Sequence, residues 1–273
     1  MLGTGTPNAD PDRYGPAVAI VVDDVSYLVD AGVGIVRRAA AAQRAGITAL
    51  GPTRLKRAFI THLHSDHTLG LADLILSPWV LERDAPLELA GPRGLKAMTD
   101  HLVAAYADDI RIRTTGGEPA HRHDPTVVRV YEATAGVIFR DDQVVVTAFP
   151  VKHGAWEQAF GYRFQTADRT IVISGDTGAD SKIEDQCRRC DVLVHEVYSA
   201  ERFKARPADW QRYHADAHTS TVELAALARR ARPKRLVLYH QLFWGATDED
   251  LVREVRQGYA GEVYSARDLD IFP

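Results

Sequence analysis

The chain has 273 residues, 45% of them apolar, enough for a well-packed core in one large domain or two small ones. With 33 Lys and Arg against 37 Asp and Glu, the net charge is −4, so no overall positive field favours nucleic acid. No segment approaches the ~18 apolar residues of a membrane span, and no secretory leader is visible.

"MLGTGTP" reads as the end of a first strand and its turn. The expected compartment is the cytoplasm, or export if a leader upstream of Met1 has been removed. "VAIVVDD" and "VSYLVDAG" form a hairpin around Asp23 and Asp24. "GIVRRAAAAQRAG" is helical and stops at Gly46. "RLKRAFITH" is a buried strand that ends on histidines, and "LGLADLILSPWVL" is one helix behind them. Strand "LELAGP" precedes helix "GLKAMTDHLVAAYADDI". Strands "VVRVYEA", "GVIFRD", "QVVVTAFPVKH", "FGYRFQT" and "TIVISGDTG" follow. The rest alternates: a helix near 180–189, strand "DVLVHEVYS", a helix over 221–231, strand "RLVLYHQ", a helix near 248–258, and "GEVYSARDLDIF". Ser220 with Glu223, and Thr247 with Asp250, have the spacing of capping boxes. Strand runs followed by strand–helix alternation predict a sheet-rich, layered α/β domain without linker or repeat.

The two cysteines, Cys187 and Cys190, have no second pair to complete a four-thiolate site. They are expected to be small, partly buried packing residues. The chemistry concentrates elsewhere. "THLHSDHTLG" places His62, His64, Asp66 and His67 within six residues, directly after an apolar run. Such groups are costly to bury without partners. Further polar residues close other strands: Asp30 after "VSYLV", His153 after "VVVTAFPVK", Asp176 after "TIVISG", His195 after "DVLV" and His240 after "RLVLY". In layered α/β proteins that edge is where ligands bind. Imidazole and carboxylate donors suit zinc, manganese or iron rather than calcium or magnesium. One zinc takes about three or four protein ligands, so this many donors predict two ions. Such a pair holds a bridging hydroxide and clamps the attacked and leaving oxygens. His101, His121, His123 and His214 lie in polar or helical surroundings and are expected at the surface.

The H-x-H-x-D-H signature in "THLHSDH" resembles that of the metallo-β-lactamase superfamily. "VDAG", "VKHG", "SGDTG" and "YHQ" follow in the order of that family. The resemblance spans nearly the whole chain. It implies a four-layer αββα sandwich as one domain over residues 1–273, with the metal site at one edge of the two sheets. It implies His62, His64 and His153 on a first metal, Asp66, His67 and His240 on a second, and Asp176 bridging. Asp30 would orient ligands without touching metal. The implied cofactors are two divalent ions, Zn2+ first, with Mn2+ or Fe2+ as alternatives.

Within that superfamily the chain looks most like the ribonuclease Z branch. "LGTGTP", "VHEVYS" and "AHTSTVELAALA" carry the likeness. It implies a Glu196–His218 pair, in which His218 protonates the leaving oxygen and Glu196 holds its tautomer and charge. Asp66 doubles as ligand and proton acceptor. Members that process transfer RNA carry a long arm between the "VKH" and "GDT" motifs. "FGYRFQTADRTIVISGDT" leaves room only for strand, tight turn and strand, and no basic stretch replaces the arm. Transfer RNA is therefore not the expected substrate. Trp156, Tyr198, Phe243 and Trp244 lie just beyond metal-site motifs and are expected to wall the pocket with aromatic rings.

The reading is a dinuclear metal-dependent hydrolase of a phosphodiester or related small ester. A lactone or β-lactam ring opener is the alternative. A catalytically silent metal-binding module and a diiron redox protein are further readings, but every motif position is filled and no fused flavin domain is expected. No membrane partner is expected, and the family likeness implies a homodimer.

Overall fold

A computed structural model describes residues 1–116 and 128–273. The chain divides into two compact units, residues 1–133 with 268–273, and residues 134–267. Among the described residues no helix is long and apolar enough to cross a membrane.

The first unit is built on a five-stranded sheet in the order β1-β2-β3-β4-β5. Strands β1 (Val18–Val22) and β2 (Val25–Val29) form the expected antiparallel hairpin. Its two-residue turn needs a left-handed residue, and Asp23 at φ 51° supplies it. Helix α1 (Ile35–Arg44) buries Ile35, Val36, Ala39 and Ala42, a stripe at helical spacing. Strand β3 (Arg57–Phe59) then runs parallel to β2 and leads into the histidine cluster.

Behind the cluster, two helices stand where one was expected: α2 (Ser65–Thr68) and α3 (Leu71–Val80). The break falls at Gly70, whose N–H donates to Ala31 O at 2.8 Å. A Cβ at Gly70 would lie 2.2 Å from Gly32 O, so only glycine lets the loop after β2 approach this closely. Strand β4 (Leu87–Gly91) is parallel to β3. The next expected helix is also two, α4 (Leu95–Ala105) and α5 (Ala107–Thr115), divided at Tyr106. Strand β5 (Val128–Glu132) closes the sheet, parallel to β4.

The second unit carries a seven-stranded sheet in the order β12-β11-β10-β9-β8-β7-β6. Strands β6 (Gly136–Arg140), β7 (Val145–Pro150), β8 (Phe160–Gln165) and β9 (Thr170–Ile173) form an antiparallel meander. The β8–β9 link is a tight turn closed by Thr166 N–H on Arg169 O, at 2.9 Å, with no inserted arm. Helix α6 (Ser181–Cys187) leads to strand β10 (Val192–Tyr198), which is parallel to β9. Next come α7 (Ala200–Phe203), α8 (Ala208–Ala217) and α9 (Thr221–Ala231). Strand β11 (Arg235–Leu242), helix α10 (Asp248–Arg256) and strand β12 (Glu262–Ser265) complete the unit, β11 parallel to both neighbours. Both expected capping boxes form, Ser220 with Glu223 and Thr247 with Asp250.

Helices α7 and α8 were not anticipated. The α8 sequence, "ADWQRYHADA", lacks a broad apolar stripe, and its buried residues are only His214 and Ala217. Cys187 and Cys190 also differ from expectation, because they are joined in a disulfide. The chain reverses after α6 through Arg189 at φ 65°, which brings the two Cα atoms to 4.7 Å, within disulfide range. The bridge lies in the core cluster formed by α6, α9 and the central strands.

Glu254 fastens this unit from within. It accepts from Ser199 Oγ at 2.6 Å, Thr221 Oγ1 at 2.6 Å and Ala200 N–H at 2.8 Å, joining α10 to the end of β10 and the start of α9. Glu254→Ala leaves the buried Ser199 and Thr221 hydroxyls without this acceptor and is expected to cost about 2–4 kcal/mol of stability. Urea unfolding measures this as a lower midpoint with little change in slope. An unchanged midpoint would mean the three donors find other acceptors.

Candidate metal centre

In the first unit the donors are organised by Asp30. It follows β2 with φ 62°, an unusual backbone for a residue other than glycine. One carboxylate oxygen accepts from Thr61 N–H at 2.7 Å, and both lie 2.9 Å from Thr61 Oγ1. The second oxygen accepts from His67 Nδ1 at 2.8 Å. With Nδ1 carrying that proton, Nε2 is the His67 nitrogen able to ligate a metal. His62 presents Nδ1 to Thr61 Oγ1 at 3.0 Å and Nε2 to His64 Nδ1 at 2.9 Å. Asp66 Oδ2 lies 3.5 Å from His67 Nε2. Asp30, Thr61, His62, Asp66 and His67 are buried, and His64 is half-buried. The sequence reading missed Thr61, the residue that ties Asp30 to the backbone of the cluster.

In the second unit, His153 follows β7. Its Nδ1 donates to the carbonyl of Ala217, the last residue of α8, at 2.7 Å, which again leaves Nε2 as the ligating nitrogen. Asp176 follows β9, and its Oδ2 is 3.4 Å from His240 Nε2. Asp176, His218 and His240 form a buried group whose donor atoms all lie within 4.8 Å of one another. His240 is not beyond the end of β11 but inside it. The register with β10 jumps from Glu196↔Tyr239 to Val197↔Gln241, so His240 is the extra residue of a bulge, at φ 46°. A bulge re-aims one side chain without ending the strand.

Glu196 and His218 come together, with Glu196 Oε2 3.3 Å from His218 Nδ1. The other oxygen accepts from Thr219 N–H at 2.8 Å and Thr177 N–H at 3.4 Å. Burial first, and the neighbouring Asp176 second, push the Glu196 carboxyl well above the usual carboxylate range, against the pull of His240 and the two N–H donors. A cation held by Asp176 would remove the repulsive part of that push. His195 lies fourth of seven in β10, not at its end, and consecutive strand residues point to opposite faces. Its Nδ1 donates to Glu196 O at 2.6 Å, and burial brings its pKa down to about 4.

The remaining expectations divide. His101 is exposed, as expected. His121 and His123 lie outside the described residues. His214 is buried rather than at the surface, its ring centroid 4.7 Å from that of Trp244 and 5.4 Å from that of His218. The sequence concealed this because α8 itself was not anticipated. Tyr198 and Trp244 meet at 5.5 Å, with Phe203 as a third ring. Phe243 instead packs against the hydrophobic core, and Trp156 is partly exposed beside His153. The donors are nitrogen and oxygen only, buried except for the half-buried His64, with two imidazole tautomers preset by Nδ1 hydrogen bonds. That chemistry fits divalent ions of the zinc, manganese and iron type.

The model of the Beta-lactamase superfamily domain matches residues 26–241. Ribonuclease Z of Mycobacterium bovis (strain BCG / Pasteur 1173P2) is 33% identical over 246 residues, covering 88% of this chain and 84% of the relative. Ribonuclease Z of Mycobacterium sp. (strain KMS) is 34% identical over 247 residues, covering 89% and 83%. Among solved structures, the metallo-beta-lactamase fold protein YhfI from Bacillus subtilis superposes with a TM-score of 0.74 at 16% identity, covering 100% of this chain and 98% of that one. The short form of human tRNase Z gives 0.71 at 24% identity, covering 99% and 96%. The chain belongs to the β-lactamase superfamily, within the ribonuclease Z family. It has the metallo-β-lactamase fold and is a metal-dependent hydrolase that uses divalent ions.

Asp30→Ala removes the carboxylate that holds the His67 tautomer. Metal affinity is expected to fall about 10- to 100-fold, the usual effect of losing such an outer partner. Competition with a chromogenic chelator measures it, and an unchanged affinity would show that Asp30 does not orient His67 for metal.

Proposed function

We propose that the chain is a dinuclear phosphodiesterase of the ribonuclease Z type, acting on phosphodiesters or related small esters. His62, His64 and His153 would hold one ion and Asp66, His67 and His240 the other, with Asp176 shared between them. Zinc is the preferred metal, since imidazole and carboxylate donors without a thiolate suit it, with manganese or iron as alternatives. Bound there, the ions supply Lewis acidity and a nucleophile drawn from water at neutral pH.

The observation that carries the reading is the contact of His218 with Glu196, beside Asp176. His218 protonates the leaving oxygen, while Glu196, anchored by the N–H groups of Thr219 and Thr177, keeps the imidazole oriented and balances its charge. An alcohol or nucleoside leaving group needs such a donor, whereas lactone or β-lactam opening depends less on it. Asp30 stays behind His67 as its orienting acceptor, and Asp66 serves as ligand and proton acceptor. The aromatic pair Tyr198 and Trp244 favours a ring-bearing or apolar leaving group. The relatives are named as ribonucleases, which supports phosphorus chemistry. The tight turn between β8 and β9 argues against a substrate as large as transfer RNA.

The test is steady-state hydrolysis of bis-p-nitrophenyl phosphate, an aryl lactone and a chromogenic cephalosporin. The enzyme is stripped of metal and reconstituted with zinc or manganese, with Asp176→Ala as control. Phosphodiester turnover should return with metal and be absent in the control. His218→Ala should lower phosphodiester kcat about 10²- to 10⁴-fold, the usual scale of general acid catalysis, and affect lactone opening less. Equal losses on both substrates would remove the general-acid role. Turnover confined to the lactone or the cephalosporin would replace the phosphodiesterase reading with ring opening.

A further inference from the structure

Helix α8 and the loop before it bring together side chains that no step above uses. Trp210 and His214 are four residues apart on α8 and share one face, and Arg206 lies in the loop before it. The Arg206 guanidinium carbon lies 5.9 Å from the Trp210 ring centroid and 5.2 Å from that of Trp244. The backbone holds it there, with Arg206 N–H on Phe203 O at 3.0 Å and Arg206 O accepting from Gln211 Nε2 at 2.8 Å. Among the described residues Arg206 has no carboxylate partner, and its buried Nε makes no hydrogen bond. Other arginines of this unit, such as Arg230, Arg235 and Arg253, sit beside acidic groups. An arginine stacked on two indoles and lacking a counter-ion suits an incoming anion, because the rings orient the planar fork without neutralising it.

Beside it, two rings remain open to solvent. Trp210 is 50% exposed and Tyr213 43% exposed, and they meet at 5.9 Å with an interplanar angle of 85°. Trp210 also stacks on His214 at 5.5 Å, and its exposed surface with that of Tyr213 is where a flat ring would pack. Tyr213 lies 6.1 Å from the His218 ring, so this surface adjoins the proposed proton donor. Exposed aromatic rings next to an unpaired guanidinium are the pairing that proteins use to bind bases and the phosphates that accompany them.

We propose that Arg206, Trp210 and Tyr213 form a subsite for the leaving group, an alcohol bearing a planar ring and a second phosphate distinct from the one that is cleaved. The ring rests against Trp210 and Tyr213, and the anionic oxygens of that second phosphate meet Arg206. A nucleotide and a simple aryl phosphate both present such a ring and phosphate. The subsite deepens the phosphodiesterase reading and rests on it for the assignment of His218 to the leaving side, but binding measures it independently of turnover.

The experiment is calorimetric titration of the metal-loaded protein with adenosine monophosphate, p-nitrophenyl phosphate and the ring-less ribose 5-phosphate. The wild type should bind the ring-bearing probes about tenfold tighter than ribose 5-phosphate, the scale of one base-on-aromatic stack. Trp210→Ala should abolish that ratio while leaving ribose 5-phosphate within twofold, and Trp210→Phe should restore most of it. Arg206→Ala should weaken all three probes. Adenosine monophosphate binding well above p-nitrophenyl phosphate identifies a nucleotide as the source, and equal affinities identify any aryl phosphate. Absence of a ring preference in the wild type, or its survival in Trp210→Ala, overturns the subsite. Phosphodiester turnover without a ring preference would sink the subsite alone. A ring preference without phosphodiester turnover would leave the subsite standing and sink the phosphodiesterase reading.

Discussion

Everything in this molecule's chemistry depends on keeping imidazoles and carboxylates buried together. An ionisable group away from water is tolerated only when hydrogen bonds or opposite charge compensate its lost hydration. In the first unit Asp30 meets that requirement through Thr61 and His67. In the second, Glu196 meets it through Thr219, Thr177 and His218. Asp30 thereby accepts from His67, and Glu196 lies beside His218. The supporting contacts are therefore inseparable from the donor set: they decide which nitrogen of His67 and His153 is left for a metal.

Backbone conformation delivers these side chains at some local cost. Asp30, His240 and Trp244 all hold positive φ. Such conformations cost of order 1–3 kcal/mol each outside glycine and persist only where the surroundings over-determine them. Asp30 is held by its own carboxylate contacts, and His240 by the paired residues on either side of its bulge in β11. Gly70 does the complementary job, removing a side chain so that the loops after β2 and behind the histidines can touch. Other positive-φ residues, such as Asp23 and Arg189, serve chain reversals away from the donors.

Helix α8 adjoins several of these groups. Its last carbonyl fixes the His153 tautomer, His218 caps its C-terminal end, and its exposed face carries Trp210 and Tyr213. A ring bound on that face would bear on the segment that adjoins His153 and His218. The helix is short and polar, so its position comes from packing of His214 against Trp244 and from the ties of Arg206 and Gln211, not from a hydrophobic stripe.

The order of the strands, the capping boxes at Ser220 and Thr247, and the polar residues closing apolar runs were legible in the sequence, because alternation and helix-start chemistry are local. So were His62, His64, Asp66, His67 and Asp176, which stand where an apolar strand gives way to a loop. The sequence by itself also determined the family, through motifs whose residue types no other demand would assemble in that order. Only the tertiary structure decided that His240 sits in a bulge rather than past a strand end, that His195 belongs to the core, and that Cys187 and Cys190 are bonded. It alone brought His214 inside and set Arg206 between two indoles. The physical reason is the same in each case. Register, chain reversal and side-chain stacking depend on residues distant in sequence, and no local period records which of them will meet.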